Sequence, residues 1–315
     1  MQLDFFIDAS KTSSNNQVVS WSYSKIGTLR SCPRKFYYQY YGSKKRSAKS
    51  DPHKDKIIFL SKFSNRHLIP GSIVHDAIAV YFRKAKTSEK WDINKLKWLA
   101  HKMLDESIKY SIDLKNTSIV STAEFPPDIF KELYYSTIPE KELKDKMTQK
   151  INDNIDGFYS SEKFKHLKIG GQGEDSIIEN NASFLLSPSI EVNGKIDISF
   201  TSDNDFIIAD WKTGNREIED NSLQLLTYAL WAIDQKKSEG KNIRIQKAYL
   251  IEDELEEFEY SETHLLRAKM KIIQDSESLA SLDDYGKKGV IEAFTKCGQK
   301  KICDLCAFQE TCDLT

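Results

Sequence analysis

IIADWKTGN, residues 207–215, places an acid and a base two positions apart at the end of an apolar run, with Trp211 between them. Side chains alternate faces along a strand, so Asp210 and Lys212 point one way and Trp211 the other. Ile207, Ile208 and Ala209 are too apolar for a surface strand, which puts the charged pair deep in the protein. Burying a carboxylate and an ammonium is costly unless they pair or serve a purpose. Two readings follow: a satisfied ion pair, or a catalytic site.

The chain has 315 residues, 39% hydrophobic and 11% aromatic, enough for one elaborated domain or two small ones. Its charged fraction is 30% but its net charge is only -1, so nucleic-acid binding would need a local basic patch. No apolar run approaches a membrane span. The first seventeen residues lack the basic start and apolar stretch of a secretory signal, so a cytoplasmic chain is expected. Its cysteines are then expected to bind metal or take part in catalysis rather than form disulfides. There are five, Cys32, Cys297, Cys303, Cys306 and Cys312, and four of them crowd the C-terminal end.

Residues 1–20 read as a polar lead-in. In 21–42, Ser24 is a plausible N-cap, Ile26, Leu29, Phe36 and Tyr40 fall at helical spacing, and Pro33 interrupts the helix. Residues 42–56 read as a basic loop. Residues 71–86 form an amphipathic pattern with Ile73, Ala77, Ile78, Tyr81 and Phe82 on the buried side. Further helices are expected over 91–167. From 175 the pattern becomes a β-meander, with a hairpin signal at Asn193-Gly194 and a turn at residues 202–205. A helix over 222–234, a strand over 243–253, an acidic solvated edge over 252–262 and a helix over 262–280 complete a mixed α/β chain. No G-x-x-x-x-G-K-[ST] stretch occurs, so no P-loop motor is recognisable.

A two-residue turn on Asp203 and Asn204 would set Asp197 opposite Asp210. Like charges in that relation destabilise a sheet and call for a shared proton, a cation or a nearby lysine. Lys212 supplies one positive charge, and a divalent metal would supply more. Two acids holding a metal beside a lysine is an arrangement for phosphodiester hydrolysis. A turn shifted by one residue would instead put the acids on opposite faces. Gln224 and Tyr228 share a helix face at i and i+4, and His75 lies on the helix that begins near Gly71. Taken singly, each has an ordinary structural explanation.

In order, G-S-I-V-H (71–75), G-K-I-D (194–197), I-I-A-D-W-K-T-G (207–214) and Q-L-L-T-Y (224–228) resemble the motifs of the RecB-type branch of the PD-(D/E)XK nucleases. The resemblance implies a restriction-endonuclease-like core, a mixed sheet flanked by helices, with a helical insertion and a C-terminal cysteine cluster. It implies a Mg²⁺- or Mn²⁺-dependent DNA nuclease, an exonuclease or one acting on ends or single strands. Asp197 and Asp210 would be metal carboxylates, His75 a further ligand and the Trp211 carbonyl part of the shell. Lys212 would orient the attacking water, and Gln224 and Tyr228 would support Lys212 or touch the nucleic-acid backbone. The family often carries an acid on the first core strand, here Glu174 or Glu179. The expected parts are a lead-in (1–20), a helical part with Cys32 and His75 (21–90), a helical insertion (91–170), the nuclease core (171–261) and the C-terminal helix with its cysteine tail (262–315).

The cysteine contexts C-P-R-x-F before the core and C-x-x-C-x-F after it resemble the iron–sulfur members of the same branch, the AddB-type nucleases and CRISPR-associated exonucleases. This implies a [4Fe–4S] cluster on Cys32, Cys303, Cys306 and Cys312, with Cys297 a bystander. The alternative is a Zn²⁺ site made by the four tail cysteines. Lys44, Lys45, Arg46 and Lys49 could track phosphates or form a solvated loop. Two other functions stay open: a non-catalytic scaffold holding DNA or a helicase partner, and a nuclease acting on RNA. DNA repair, recombination and antiviral defence are all compatible with the resemblance.

Overall fold

The quoted stretch forms an interior strand of a six-stranded mixed sheet. The computed structural model describes residues 18–44, 51–87, 89–114, 127–214, 222–235, 237 and 239–312. Most of the lead-in and the basic residues Lys45, Arg46 and Lys49 lie outside the described residues.

In chain order, β1 (Val19–Ser22) leads into α1 (Tyr23–Ser31) and α2 (Pro33–Tyr37), which runs on as a π-turn over Tyr38–Gly42. Next come α3 (Pro52–Leu60), β2 (Phe63–Ser64), α4 (Ile69–Lys86), α5 (Ile93–Asp113), β3 (Ile129–Phe130), α6 (Lys131–Tyr134), α7 (Glu140–Ser160) and α8 (Lys165–Gly171). Then follow β4 (Ile177–Ser187), β5 (Ile190–Ser202), β6 (Asp205–Lys212), α9 (Ser222–Asp234), β7 (Asn242–Tyr249), β8 (Glu254–Phe258), α10 (Glu262–Lys288) and α11 (Lys300–Asp304).

Local chemistry accounts for most boundaries. Ser22, two residues before the expected cap, accepts from the Lys25 N–H and starts α1. Pro33 ends that helix and opens the next, where its missing N–H costs nothing. Strand β1 begins inside the stretch expected to be a lead-in. Asn193-Gly194 is not a hairpin: β5 runs straight through it, and the chain reverses at residues 188–189. The apolar run on either side of the pair, and pairing to both β4 and β1, outweigh the local turn preference. The turn at 203–204 is as expected: Asp203 takes φ +49°, and Ser202 pairs with Asp205. The acidic run gives β8, an edge strand whose Glu256 meets Lys247 at 2.6 Å. Charge on an edge strand discourages further pairing.

Each face of the sheet carries a core. On one, α4, α5 and α7 pack over Ile198, Phe200, Ile207, Ala209 and Trp211. The Trp211 ring lies against Phe82, Phe158 and Phe164, with centroids 5.3–6.4 Å away. Of the side chains expected to line α4, Tyr81 is only half-buried. On the other face, α1, α9 and α10 cover Val192, Ile196, Phe206, Ile208 and Ile245.

Two irregularities shape the middle of this sheet. Ile196 packs in the second core and Ile198 in the first, so the alternation of β5 breaks at Asp197. In β4, Ile178 packs on the first core and Ala182 and Phe184 in the second; the break falls at Glu179, whose φ is +53°. Both strands skip together, so their pairing resumes in register. Such breaks re-aim single side chains. In addition, one edge of β5 is shared. Residues 190–193 pair with β1 and 198–202 with β6, which leaves Gly194, Lys195, Ile196 and Asp197 without a ladder partner on that edge.

Helix α7 is locked to the sheet end by Gly157, where an added Cβ would lie 1.8 Å from the Leu250 carbonyl oxygen. Alanine normally gains about 1 kcal/mol over glycine inside a helix. Here the backbone clash outweighs that gain, and Gly157→Ala is expected to lower stability by about 1–2 kcal/mol. Urea unfolding followed by circular dichroism measures this; an unchanged or higher midpoint would contradict the close docking.

Candidate active site

The unpaired segment of β5 is where the polar residues collect. Asp197 is 7% exposed. Its Oδ2 accepts the Trp211 N–H at 2.8 Å, in place of the carbonyl that a continued ladder would supply. Its Oδ1 lies 3.1 Å from Nδ1 of His75, reached from α4 on the first face. The gap left by the parting strands is thus filled by a side-chain carboxylate. The expected register holds from 198 with 209 to 202 with 205; Asp197 and Asp210 are the next positions, beyond the last pair, rather than directly opposed in the ladder.

Asp210 is 5% exposed and turns toward the second face. Its Oδ2 lies 2.7 Å from Lys212 Nζ, as the same-face reading expects. Its Oδ1 lies 3.3 Å from the Tyr228 hydroxyl. That hydroxyl is also 2.9 Å from the Lys195 carbonyl oxygen, one of the groups left without a ladder partner. Gln224 donates its Nε2 to the Tyr228 oxygen at 2.8 Å. Tyr228 thus contacts Asp210, and Gln224 contacts Tyr228, rather than either bonding Lys212. The main chain of Trp211 stands beside Asp197 while its ring belongs to the apolar core.

Of the two candidate acids, the structure brings Glu179 to the site and leaves Glu174 exposed in the turn before β4. Ligand atoms of His75, Glu179 and Asp197 all lie within 4.8 Å of one another, and no other such trio occurs among the described residues. The φ of +53° aims Glu179 here; a non-glycine residue in that region stores strain that its surroundings must hold. Lys195 forms an ion pair with it. Two carboxylates and an imidazole form a donor set that fits a hard divalent cation such as Mg²⁺ or Mn²⁺.

The electrostatics agree. Burial, then the neighbouring Asp197, pushes the Asp210 carboxyl up. Burial and Asp197 do the same to Glu179. Burial pushes His75 down, but Asp197, Asp210 and Glu179 outweigh it and lift the imidazole to about 9. Burial likewise works against the Lys212 ammonium, and Asp210 and Asp197 more than restore it. Crowded acids and desolvated cations hold one another in place, as in many functional sites.

The glycine of G-S-I-V-H has a steric reason. A Cβ on Gly71 would lie 2.7 Å from Thr213 Oγ1, so the first turns of α4 close directly onto the loop after Lys212. From α7, the buried Asn154 reaches the Thr213 carbonyl at 3.4 Å. Nothing in the sequence around Asn154 signals that contact. Lys195 was also missed, although its place in G-K-I-D, two residues before Asp197, was a usable signal.

The cysteines form a second cluster. Cys32 and the four tail cysteines, Cys297, Cys303, Cys306 and Cys312, line one small cavity with Lys35, Tyr38 and Gln309. Cys297 Sγ lies 3.9 Å from Cys303 Sγ, so the presumed bystander belongs to the same cavity. Tyr38 donates to the Thr311 carbonyl at 2.6 Å, Arg34 to Phe294 at 2.8 Å and Tyr135 to Ala307 at 3.1 Å. These contacts fasten the tail to α2 and α6. Burial pushes the Cys306 and Cys312 thiols up. The nearby tyrosines mainly pack: Tyr38 and Tyr41 are buried, and Tyr37, Tyr40 and Tyr41 ring Phe36 and Phe294. Of the basic stretch, Lys44 is described, and it sits 5.7 Å above the Tyr41 ring.

The family model for the PD-(D/E)XK nuclease superfamily matches residues 20–313. Comparison with curated proteins finds no match.

If His75, Glu179 and Asp197 hold a divalent cation, Mn²⁺ should raise the melting temperature. The gain is about 2.7 kcal/mol at a hundredfold excess over Kd. Asp197→Asn and Glu179→Gln should each abolish most of it. Differential scanning calorimetry with and without Mn²⁺ decides, and a shift that survives both substitutions would place the metal elsewhere.

Proposed function

This chain belongs to the PD-(D/E)XK nuclease superfamily, and on that footing we propose that it is a metal-dependent deoxyribonuclease acting on single strands or ends. The observation that carries the reading is Lys212 Nζ held 2.7 Å from Asp210 beside the His75–Glu179–Asp197 trio. A structural ion pair alone needs no third acid, no strained Glu179 and no histidine.

In this reading His75, Glu179 and Asp197 would hold Mg²⁺ or Mn²⁺; Asp210, outside that trio, and the Trp211 carbonyl are the further ligands that the resemblance implies. When bound, that cation supplies an activated water and offsets charge on the phosphate. As a ligand His75 would be the neutral imidazole, so cation binding would be weaker below its raised pKa of about 9. Lys212, whose side chain is 22% exposed, presents its ammonium toward the substrate side. It orients the attacking water and steadies the negative charge that grows on the phosphate oxygens. Asp210 fixes Lys212, and Tyr228 with Gln224 fixes Asp210, so neither group has to reorganise during reaction. The preference for ends or single strands and a helicase partner rest on the resemblance to RecB-type nucleases.

The cysteine cavity supports a [4Fe–4S] cluster as the second cofactor, on Cys32, Cys303, Cys306 and Cys312. A cluster there ties the start of the domain to its end. In the cell this assignment fits reduced, cytoplasmic surroundings.

Two measurements test these readings. With Mg²⁺ or Mn²⁺, the wild type should cleave end-labelled single-stranded DNA, and Lys212→Ala should lose at least ~10²-fold in rate while keeping the Mn²⁺-induced stabilisation. DNA binding without cleavage by either protein would favour a scaffold, and cleavage only of strands bearing 2′-hydroxyls would favour an RNA nuclease. Anaerobically purified protein should be brown, Cys32→Ala should bleach it and Cys297→Ala should not; colourless protein with one bound Zn²⁺ would remove the cluster.

A further inference from the structure

Outside the site, one group of basic side chains makes no side-chain ion pair among the described residues and is not used by the chemistry above. Arg66 and His67 stand in the loop before α4, and Lys150 projects from α7 across to them. Lys150 Nζ lies 3.5 Å from the His67 carbonyl oxygen, and Arg66 Nε lies 3.3 Å from His67 Nε2. Two other lysines on α7 are neutralised, Lys144 by Asp105 and Lys146 by Glu142, both at 2.6 Å. Among the described residues Arg66 and Lys150 form no ion pair. The nearby acids are Glu132, which is spent on the Arg66 main-chain N–H at 3.2–3.3 Å, and Glu142 on its own lysine. Burial and Arg66, with Lys150 and against the pull of Glu132, push the His67 imidazole down, and burial pushes the Lys150 ammonium down. Glu132 offsets part of this positive charge from the buried side, and the exposed side chains stay open to a polyanion that arrives from outside. Leu68, next in the chain, is 63% exposed.

This patch is mechanically joined to the site by both of its elements. Asn154, one turn beyond Lys150 on α7, donates to the Lys150 carbonyl at 2.8 Å and to the Thr213 carbonyl at 3.4 Å. Helix α4 begins just after the patch, packs Gly71 on Thr213 and carries His75. From Ile69 to His75 the helix rises about 9 Å, so the patch lies beyond the site along α4.

We propose that Arg66, His67 and Lys150 bind the phosphodiester backbone of the strand being cut, away from the scissile bond, with exposed Leu68 against a base. The assignment rests on the nuclease reading and names where its substrate runs. Arg66 and Lys150 grip phosphates, which position a strand without reading its sequence. Since α4 and α7 also hold the loop after Lys212, the strand is bound in a fixed relation to the site.

The test uses the full chain carrying Lys212→Ala, with Mg²⁺ and a fluorescent 20-mer of thymidylate, read by anisotropy between 50 and about 200 mM salt. Adding Arg66→Gln and Lys150→Gln should weaken binding at least tenfold. It should also make the slope of log K against log salt shallower by about 1.4, two single-strand contacts at ~0.7 each. Neither substitution touches the main-chain contact to Glu132, and melting temperature checks the fold. If the double variant unfolds, Lys150→Gln alone should lower the slope by ~0.7. Equal affinity and slope, with cleavage by the Lys212 protein intact, would overturn the patch and leave the nuclease standing. No binding by the parent and no cleavage by the Lys212 protein would remove both.

Discussion

The hydrogen bond from the Trp211 N–H to Asp197 is the contact on which the site depends. Where β6 leaves β5, main-chain groups lose their ladder partners, and an unpaired buried N–H is costly. A carboxylate meets that need, and so a charged side chain is held in the sheet for reasons of backbone satisfaction. With one oxygen fixed, the other is aimed at His75. Tyr228 performs the matching service on the opposite side, where its hydroxyl covers the Lys195 carbonyl and Asp210 together. Helices from both faces thus meet the same gap, one bringing an imidazole and the other a phenol.

Much of this was legible in the sequence. The apolar run at 207–209, the turn at 203–204 and the strict period of two gave the register and the shared face of Asp210 and Lys212. The helices over 71–86 and 222–234 followed from their periodicity. What could not be read was the break of alternation at Glu179 and Asp197. Apolar residues continue on both sides of it, because both faces of this sheet are buried and either phase looks acceptable. Glu174 and Glu179 were indistinguishable because the start of β4 could not be read: the strand begins at Ile177, leaving Glu174 in the preceding turn, and the backbone at 179 aims Glu179 inward. Asn193-Gly194 misled because a turn preference of two residues is weak beside pairing on both edges.

The same division holds for the ends of the chain. Pro33 punctuates the first helices through its own covalent geometry, and that is local information. The meeting of Cys32 with four cysteines near the C-terminus is long-range, and composition could not say whether Cys297 would join them. It does, because the turn at residues 297–303 folds back on itself before the chain docks under Tyr38 and Tyr135.

The shared edge of β5 also dictates an order of events in folding. The gap that holds the acids has two walls: β6 is the neighbouring strand in sequence, while β1 pairs Val19 with Ile190 across more than half of the chain. The β5–β6 hairpin closes over two residues and is a microsecond event once formed locally; β1 can dock only after β5 exists and must overcome the closure entropy of the long intervening segment. During synthesis the first strand therefore waits, with its edge unpaired, until more than half of the protein has followed it out of the ribosome.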